Sequence, residues 1–181
     1  VRFPSSEFHL VIMGRSLTML AGILESQKIR PFTALPLSGL NEYMFGYASK
    51  QGSFIHKTVY EKIENFYFPH FKKHLPENIG HRKDNKKIVL VDFVASGASL
   101  HLGQALLTQY YQHLGLPGIV YSVGVKYRNE KVSDYGSWKV DHPSQFIDVS
   151  HALAASLADN QAKEYSHVPQ FYPFVEPIPP A

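Results

Sequence analysis

The chain of 181 residues contains no cysteine. Disulfides, thiol nucleophiles and zinc–thiolate sites are thereby excluded, and a reducing cytoplasm is the compartment such a composition fits. No apolar run approaches the ~20 residues of a membrane span, so no membrane is expected as a partner. No charged-then-apolar leader opens the chain, and its start at Val1 reads as that of a trimmed or processed protein. Neither G-x-x-x-x-G-K-[ST] nor G-x-G-x-x-G occurs, which removes the two commonest phosphate-loop motifs. Internal repeats are missing as well. Charge of one sign is scarce: the formal net charge is +3. The one basic concentration, Arg82-Lys83-Asp84-Asn85-Lys86-Lys87, reads as a solvated loop before a strand, and no nucleic acid is expected as a partner.

What is present is 44% hydrophobic and 18% charged, the composition of one compact domain with a sizeable core. Residues 1–167 are expected to form that domain. Residues 168–181 carry Pro169, Pro173, Pro177, Pro179 and Pro180 among aromatic residues and read as an extended arm across the domain or a partner subunit.

Hydrophobic patterning predicts strands at Phe8–Met13, Phe32–Leu37, Ile88–Asp92, Gly118–Tyr127 and Phe146–Val149. Pro36 confines the end of the second to an edge or a turn. Helices are predicted between them. The first has Ser16 as its cap and Leu17, Leu20, Ile23 and Leu24 on one face. The second covers about Phe54–Phe68, with Val59, Ile63 and Phe66 inward, and is kinked or stopped by Pro69. The third runs from Ser99, with Leu102, Leu106 and Tyr110 inward, Gly115 at its C-terminal cap and Pro117 beyond. A fourth, alanine-rich, spans Ser150–Leu157. The glycine-punctuated stretch 38–52 reads as a lid-like excursion. Continuous apolar strands alternating with helices imply an α/β fold: a mostly parallel twisted sheet with helices on both faces. Ligands of such sheets bind at the carboxyl ends of the strands, beside a topological switch point.

One stretch concentrates the chemistry. Lys86–His101 (KKIVLVDFVASGASLH) buries a strand, ends it in one carboxylate, Asp92, and continues through small residues into a helix. A loop of Ala95, Ser96, Gly97, Ala98 and Ser99 lets backbone N–H groups converge on a phosphate at a helix N-terminus. The Ser96 and Ser99 hydroxyls add further donors, and Asp92 sits where a ribose would present its hydroxyls. Met13-Gly14-Arg15-Ser16 is a second anion-binding candidate. A cation at a helix start opposes the helix dipole, so Arg15 reads either as a phosphate clamp or as a surface arginine.

Val91–Ser99 (VDFVASGAS) resembles the ribose-phosphate motif of type I phosphoribosyltransferases. That motif is a strand, two acids, two apolar residues, a variable residue and Thr-Gly-x-Thr. Asp92 matches the second acid, Phe93 and Val94 the apolar pair, Ala95 the variable position, and Ser96-Gly97-Ala98-Ser99 the rest. Met13–Ser16 is similar to the family's pyrophosphate turn, and the likeness extends over roughly residues 8–130. It implies phosphate binding by Ala95–Ser99 and pyrophosphate binding by Gly14, Arg15 and Ser16, with Asp92 and Arg15 as the catalytic pair. It also implies Lys126 near a nucleobase and Mg²⁺ carried with the diphosphate. The partner is then phosphoribosyl diphosphate or a nucleotide 5′-monophosphate, and the reaction is phosphoribosyl transfer with release of pyrophosphate; the arrangement leaves room for a homodimer. The departures are Val91 for the first acid, Ala95 where some members carry an acid, and no basic residue in Leu35-Pro36-Leu37-Ser38. They support the alternative of a degenerate, non-catalytic nucleotide-binding or regulatory module. Tyr127 or Trp138 could stack on a base, and Asp148 is a further carboxylate. The ten histidines raise a metal reading, but His70 and His74 around Lys72-Lys73 are read as an exposed helix end, and no metal ligand is expected. His101, in the first turn after Ser99, is read as a partly exposed helix residue.

Overall fold

The computed structural model describes residues 7–14, 17–29, 31–37, 57–75, 87–94, 97–128 and 142–150. Among the described residues five strands and three helices follow in the order β1 (Phe8–Met13), α1 (Thr18–Ser26), β2 (Phe32–Leu35), α2 (Lys57–His74), β3 (Lys87–Phe93), α3 (Ala98–His113), β4 (Val120–Tyr127) and β5 (Gln145–Val149). All strand pairs are parallel, in the order β2-β1-β3-β4-β5. The expected α/β architecture is therefore present. Pro36 follows a strand at the sheet edge, where its missing N–H costs no ladder bond.

Register decides what each face covers. Val11 pairs Leu90, Ile88 pairs Val120, and Asp92 pairs Gly124. Since side chains alternate along a strand, His9, Val11, Met13, Ile88, Leu90 and Asp92 share one face. His9 Nε2 and Thr33 Oγ1, 2.8 Å apart, join β1 to β2 on it. α3 lies close against this face: a Cβ on Gly103 would stand 2.7 Å from Met13 Sδ and 3.1 Å from Leu90 Cδ2. α2 packs beside it, with Phe68 and Phe71 edge-on to Tyr110 at 5.3 and 5.5 Å. Ile12, Leu17, Val89 and Val123 are buried outside the cluster that α2 and α3 cover. The right-handed rule for β-α-β crossovers assigns α1 to that second face.

Three local expectations change. The cap of α1 falls on Leu17, with no side-chain cap bond, instead of on Ser16. Ile23 is 45% exposed while Leu17 is fully buried; at ~100° per residue it lies about 120° round the helix from Leu17, at the margin of the stripe. Pro69 does not end α2, which runs five residues further, to His74. Pro69 itself is exposed, while Tyr67, Phe68, Phe71 and Leu75 are buried around it. Burial of three aromatic rings at ~2–3 kcal/mol each outweighs the ~3 kcal/mol cost of an interior proline.

α3 ends as its sequence predicts. Gly115 takes φ +71°, its N–H donates to the Gln112 carbonyl and that of Leu116 to Tyr111, the pairing of a Schellman motif. The lid-like excursion, the alanine-rich segment and the proline arm lie outside the described residues, as do the side chains of Val59, Ile63 and Phe66.

Candidate functional site

The chain leaves β1 toward β2 on one side and returns to β3 on the other, so the switch point lies between β1 and β3. Ile12 pairs Val91, which sets Met13-Gly14 beside Asp92-Phe93 at the carboxyl ends of adjacent strands. The strand ends that lead into the two loop motifs, some eighty residues apart in sequence, thus lie side by side at the switch point, where such sheets form their ligand crevice.

Both flanks turn through glycine. Gly14 has φ +70°, and a Cβ there would meet the Leu37 carbonyl oxygen at 2.9 Å. Its N–H donates to the Leu35 carbonyl at 3.0 Å, tying the end of β1 to the end of β2. Gly97 has φ +88° and is the N-cap of α3, which starts at Ala98, one residue before the Ser99 start expected from sequence. No cap side chain accepts from the first-turn N–H groups of α3. The Gly97 carbonyl accepts from the His101 N–H at 3.0 Å, so the helix begins directly from this left-handed residue. Left-handed backbone followed by helical residues is the geometry of a backbone anion nest. Ser99 and His101 are half-buried in that first turn. Ala98 opens the helix, whereas Arg15, Ser16, Ala95 and Ser96 lie outside the described residues.

Asp92 is the carboxylate of the crevice, and it is buried, with 6% of its surface exposed. Its side chain points to the face covered by α2 and α3. Desolvation pushes its pKa up to about 8, against the smaller opposing effect of the Phe93 backbone N–H. At neutral pH it is therefore mainly a carboxylic acid, able to donate one hydrogen bond and accept others. Val91 lies on the opposite face, packed with Phe93, Val125, Tyr127 and Val149.

Lys126 shares the Asp92 face one strand further along, and its Nζ lies 2.6 Å from Asp148 Oδ1. That ammonium is engaged within the β4–β5 edge, and Asp148, for which sequence showed no selective signal, is its partner. Tyr127 packs edge-on to Phe93 at 5.3 Å on the other face; Trp138 lies outside the described residues. His70 and His74 are half-buried instead of exposed, with rings 4.5 Å apart. Among the described residues no group of three His, Asp or Glu side chains could hold a metal. Among the described residues no helix is long and apolar enough to cross a membrane.

Sequence reasoning missed two features here. Gly124, opposite Asp92, has the Phe146 ring and Val94 within 2.7–2.9 Å of a would-be Cβ, and so keeps the floor beside the acid tight. Gln104 is buried among polar partners on α3; a lone glutamine in a leucine-rich helix gives no signal of that. Compared with known proteins, the chain matches no protein-family model, no curated protein and no solved structure.

Proposed function

We propose that the crevice between β1 and β3 binds a phosphorylated ribose, as phosphoribosyl diphosphate with Mg²⁺ or as a nucleotide 5′-monophosphate, in a domain of the type I phosphoribosyltransferase kind. The observation that carries this reading is the left-handed Gly97 at the start of α3, beside a second left-handed glycine, Gly14, across the switch point. In this reading the 95–99 loop cradles the 5′-phosphate and Gly14-Arg15-Ser16 receives the pyrophosphate. Asp92 meets the ribose hydroxyls, and Lys126 stands toward the base. The reaction is then transfer of the phosphoribosyl group to an acceptor with loss of pyrophosphate.

A second reading, binding without transfer, is favoured by the burial of Asp92 and by the apolar packing of Val91. Positive charge developing on the sugar would meet a neutral acid and a valine where the resemblance implies two carboxylates. Calorimetry with phosphoribosyl diphosphate and Mg²⁺, followed by pyrophosphate release assayed against a panel of nucleobases, separates the two. Binding with turnover supports transfer, binding alone supports the module, and neither rejects both.

The phosphate nest has its own prediction. Gly97→Val forces a β-branched residue into φ +88° at a buried position and closes the approach of an anion. The affinity for a nucleotide 5′-monophosphate should fall at least a hundredfold while far-UV circular dichroism keeps its helical signal. An unchanged affinity in the folded variant would show that the nest is misassigned.

A further inference from the structure

α2 ends on His70-Phe71-Lys72-Lys73-His74, and helical spacing sets both imidazoles on one face. Their centroids are 4.5 Å apart at 45°. His70 Nε2 hydrogen-bonds the carbonyl of Pro36, the residue that follows β2. A carbonyl can only accept, so Nε2 carries the proton and Nδ1 is the bare nitrogen of neutral His70. His74 Nε2 is buried with no hydrogen-bond partner. Beyond Pro36 comes Leu37, whose carbonyl oxygen lies 2.9 Å from the Cβ position of Gly14. Continuous contact therefore runs from the histidine pair, through the end of β2, to the end of β1.

We infer that His70 and His74 form an acid-released latch that ties the end of β2 to α2 at neutral pH and lets it go as His74 takes up a proton. A proton on His70 Nδ1 would leave the donation from Nε2 to Pro36 in place. A proton on His74 is the disruptive one, because its Nε2 is closed off from water and its ring lies against that of His70.

The groups facing the pair do not relieve that charge. On α2 the neighbours are the exposed Lys72 and Lys73. Just past β2, the Pro36 carbonyl accepts from His70. The α3 groups on this flank are Tyr110 and His113, which pack against Phe68 and Phe71, and Tyr111, which packs against Tyr110. None of these described groups is a carboxylate. Burial, then His70, then Lys73 hold His74 below its ordinary 6.5. The unfolded chain thus binds this proton more readily than the folded one, and the stability His74 lends is lost as pH falls below about 6.5. Turning His74 into solvent relieves the penalty, and the last turn of α2 carries His70 away from Pro36 with it.

This latch does not depend on what the crevice binds, and amide hydrogen exchange tests it directly. The reporter is the Gly14 amide, which donates to Leu35, corrected for intrinsic exchange at pH 7.5 and 5.0. In the wild type its protection should fall at least tenfold on acidification, while the β3–β4 ladder keeps its own. His74→Phe, which keeps a ring and removes the proton site, should abolish that fall. His70→Phe should leave the reporter weakly protected at either pH. Wild-type protection that does not change with pH overturns the latch, as does a His74→Phe variant that loses protection as the wild type does. Should His74→Phe fail to fold, His74→Gln replaces it. The wild-type comparison decides by itself if neither variant folds.

Discussion

Asp92→Asn should unfold on the order of 10 °C above the wild type at pH 8 and close to it at pH 4. The carboxyl is 6% exposed, and burial lifts its pKa from 3.8 to about 8. Between those values the folded chain holds a proton that the unfolded chain has released. Stability from this group is therefore complete below about 3.8 and is lost as pH rises toward about 8. Each unit of displacement corresponds to about 1.4 kcal/mol, so the loss accumulates to several kcal/mol at alkaline pH. Asparagine fills the same space with a neutral polar head and has nothing to ionise. Thermal melts from pH 4 to 8.5 check this: the gap between variant and wild type should widen steadily with pH. A gap that stays within about 2 °C across the range would mean that the carboxyl is solvated in solution. His74 acts in the opposite sense, weakening the fold below about 6.5, so below that pH the two effects oppose each other, while from about 6.5 to 8 the Asp92 loss stands alone.

The second large effect lies at Gln104, which is 1% exposed. Its Nε2 donates to the Val120 carbonyl at 2.9 Å and to the His142 carbonyl at 2.7 Å. Its Oε1 accepts from Ser122 Oγ at 2.7 Å, and the hydroxyls of Ser122 and Ser144 are themselves 2.7 Å apart. One amide thus ties α3 to β4 and to the segment entering β5. Gln104→Leu preserves bulk but leaves two carbonyls without their amide donor and the Ser122–Ser144 hydroxyl pair without its acceptor. Unpaired buried groups cost about 1–3 kcal/mol each, partly relieved by local rearrangement. A loss of about 4 kcal/mol in urea unfolding is expected, a large share of the ~5–15 kcal/mol that stabilises a domain. Ser122→Ala combined with Gln104→Leu should cost less than the sum of the single changes, since both remove one network. A Gln104→Leu variant within about 1 kcal/mol of wild type would show that water replaces the amide. His142, stacked on Tyr121 at 4.4 Å, should be the first group to lose order.

The framework was legible because burial on both faces of a parallel sheet writes itself as continuous apolar runs. Ile88-Val89-Leu90-Val91 cannot alternate, and β3 has helices on one face and buried packing on the other. Gly115 and Pro117 marked the end of α3 because the left-handed cap is a local requirement. The loops at the switch point could likewise be read from Gly14 and Gly97. Tertiary features were not legible in this way. Pro69 breaks a helix by local rules, but local rules do not see Phe68 and Phe71 locking onto Tyr110. Lysines beside His70 and His74 suggested an exposed end, whereas a carbonyl from β2 draws the pair inward. The depth of Asp92 depends on α3 lying over β1 and β3, which a strand-end acid cannot announce. Gln104 resembles any polar position between leucines until its four partners meet around it.

The order of the strands also sets the order in which the chain can assemble. β1 meets β2 across a short crossover, Leu10 against Phe32, and β3, β4 and β5 are likewise successive neighbours. The β1–β3 seam alone joins residue 8 to residue 87, and closing so long a loop demands the most chain entropy. By that criterion the seam is expected to close after the two halves it joins. Gly14 and Gly97 lie on opposite sides of that seam, so the crevice exists only when folding is complete. A ligand that bridges it would act as a fastener, slowing the unzipping step more than it speeds collapse.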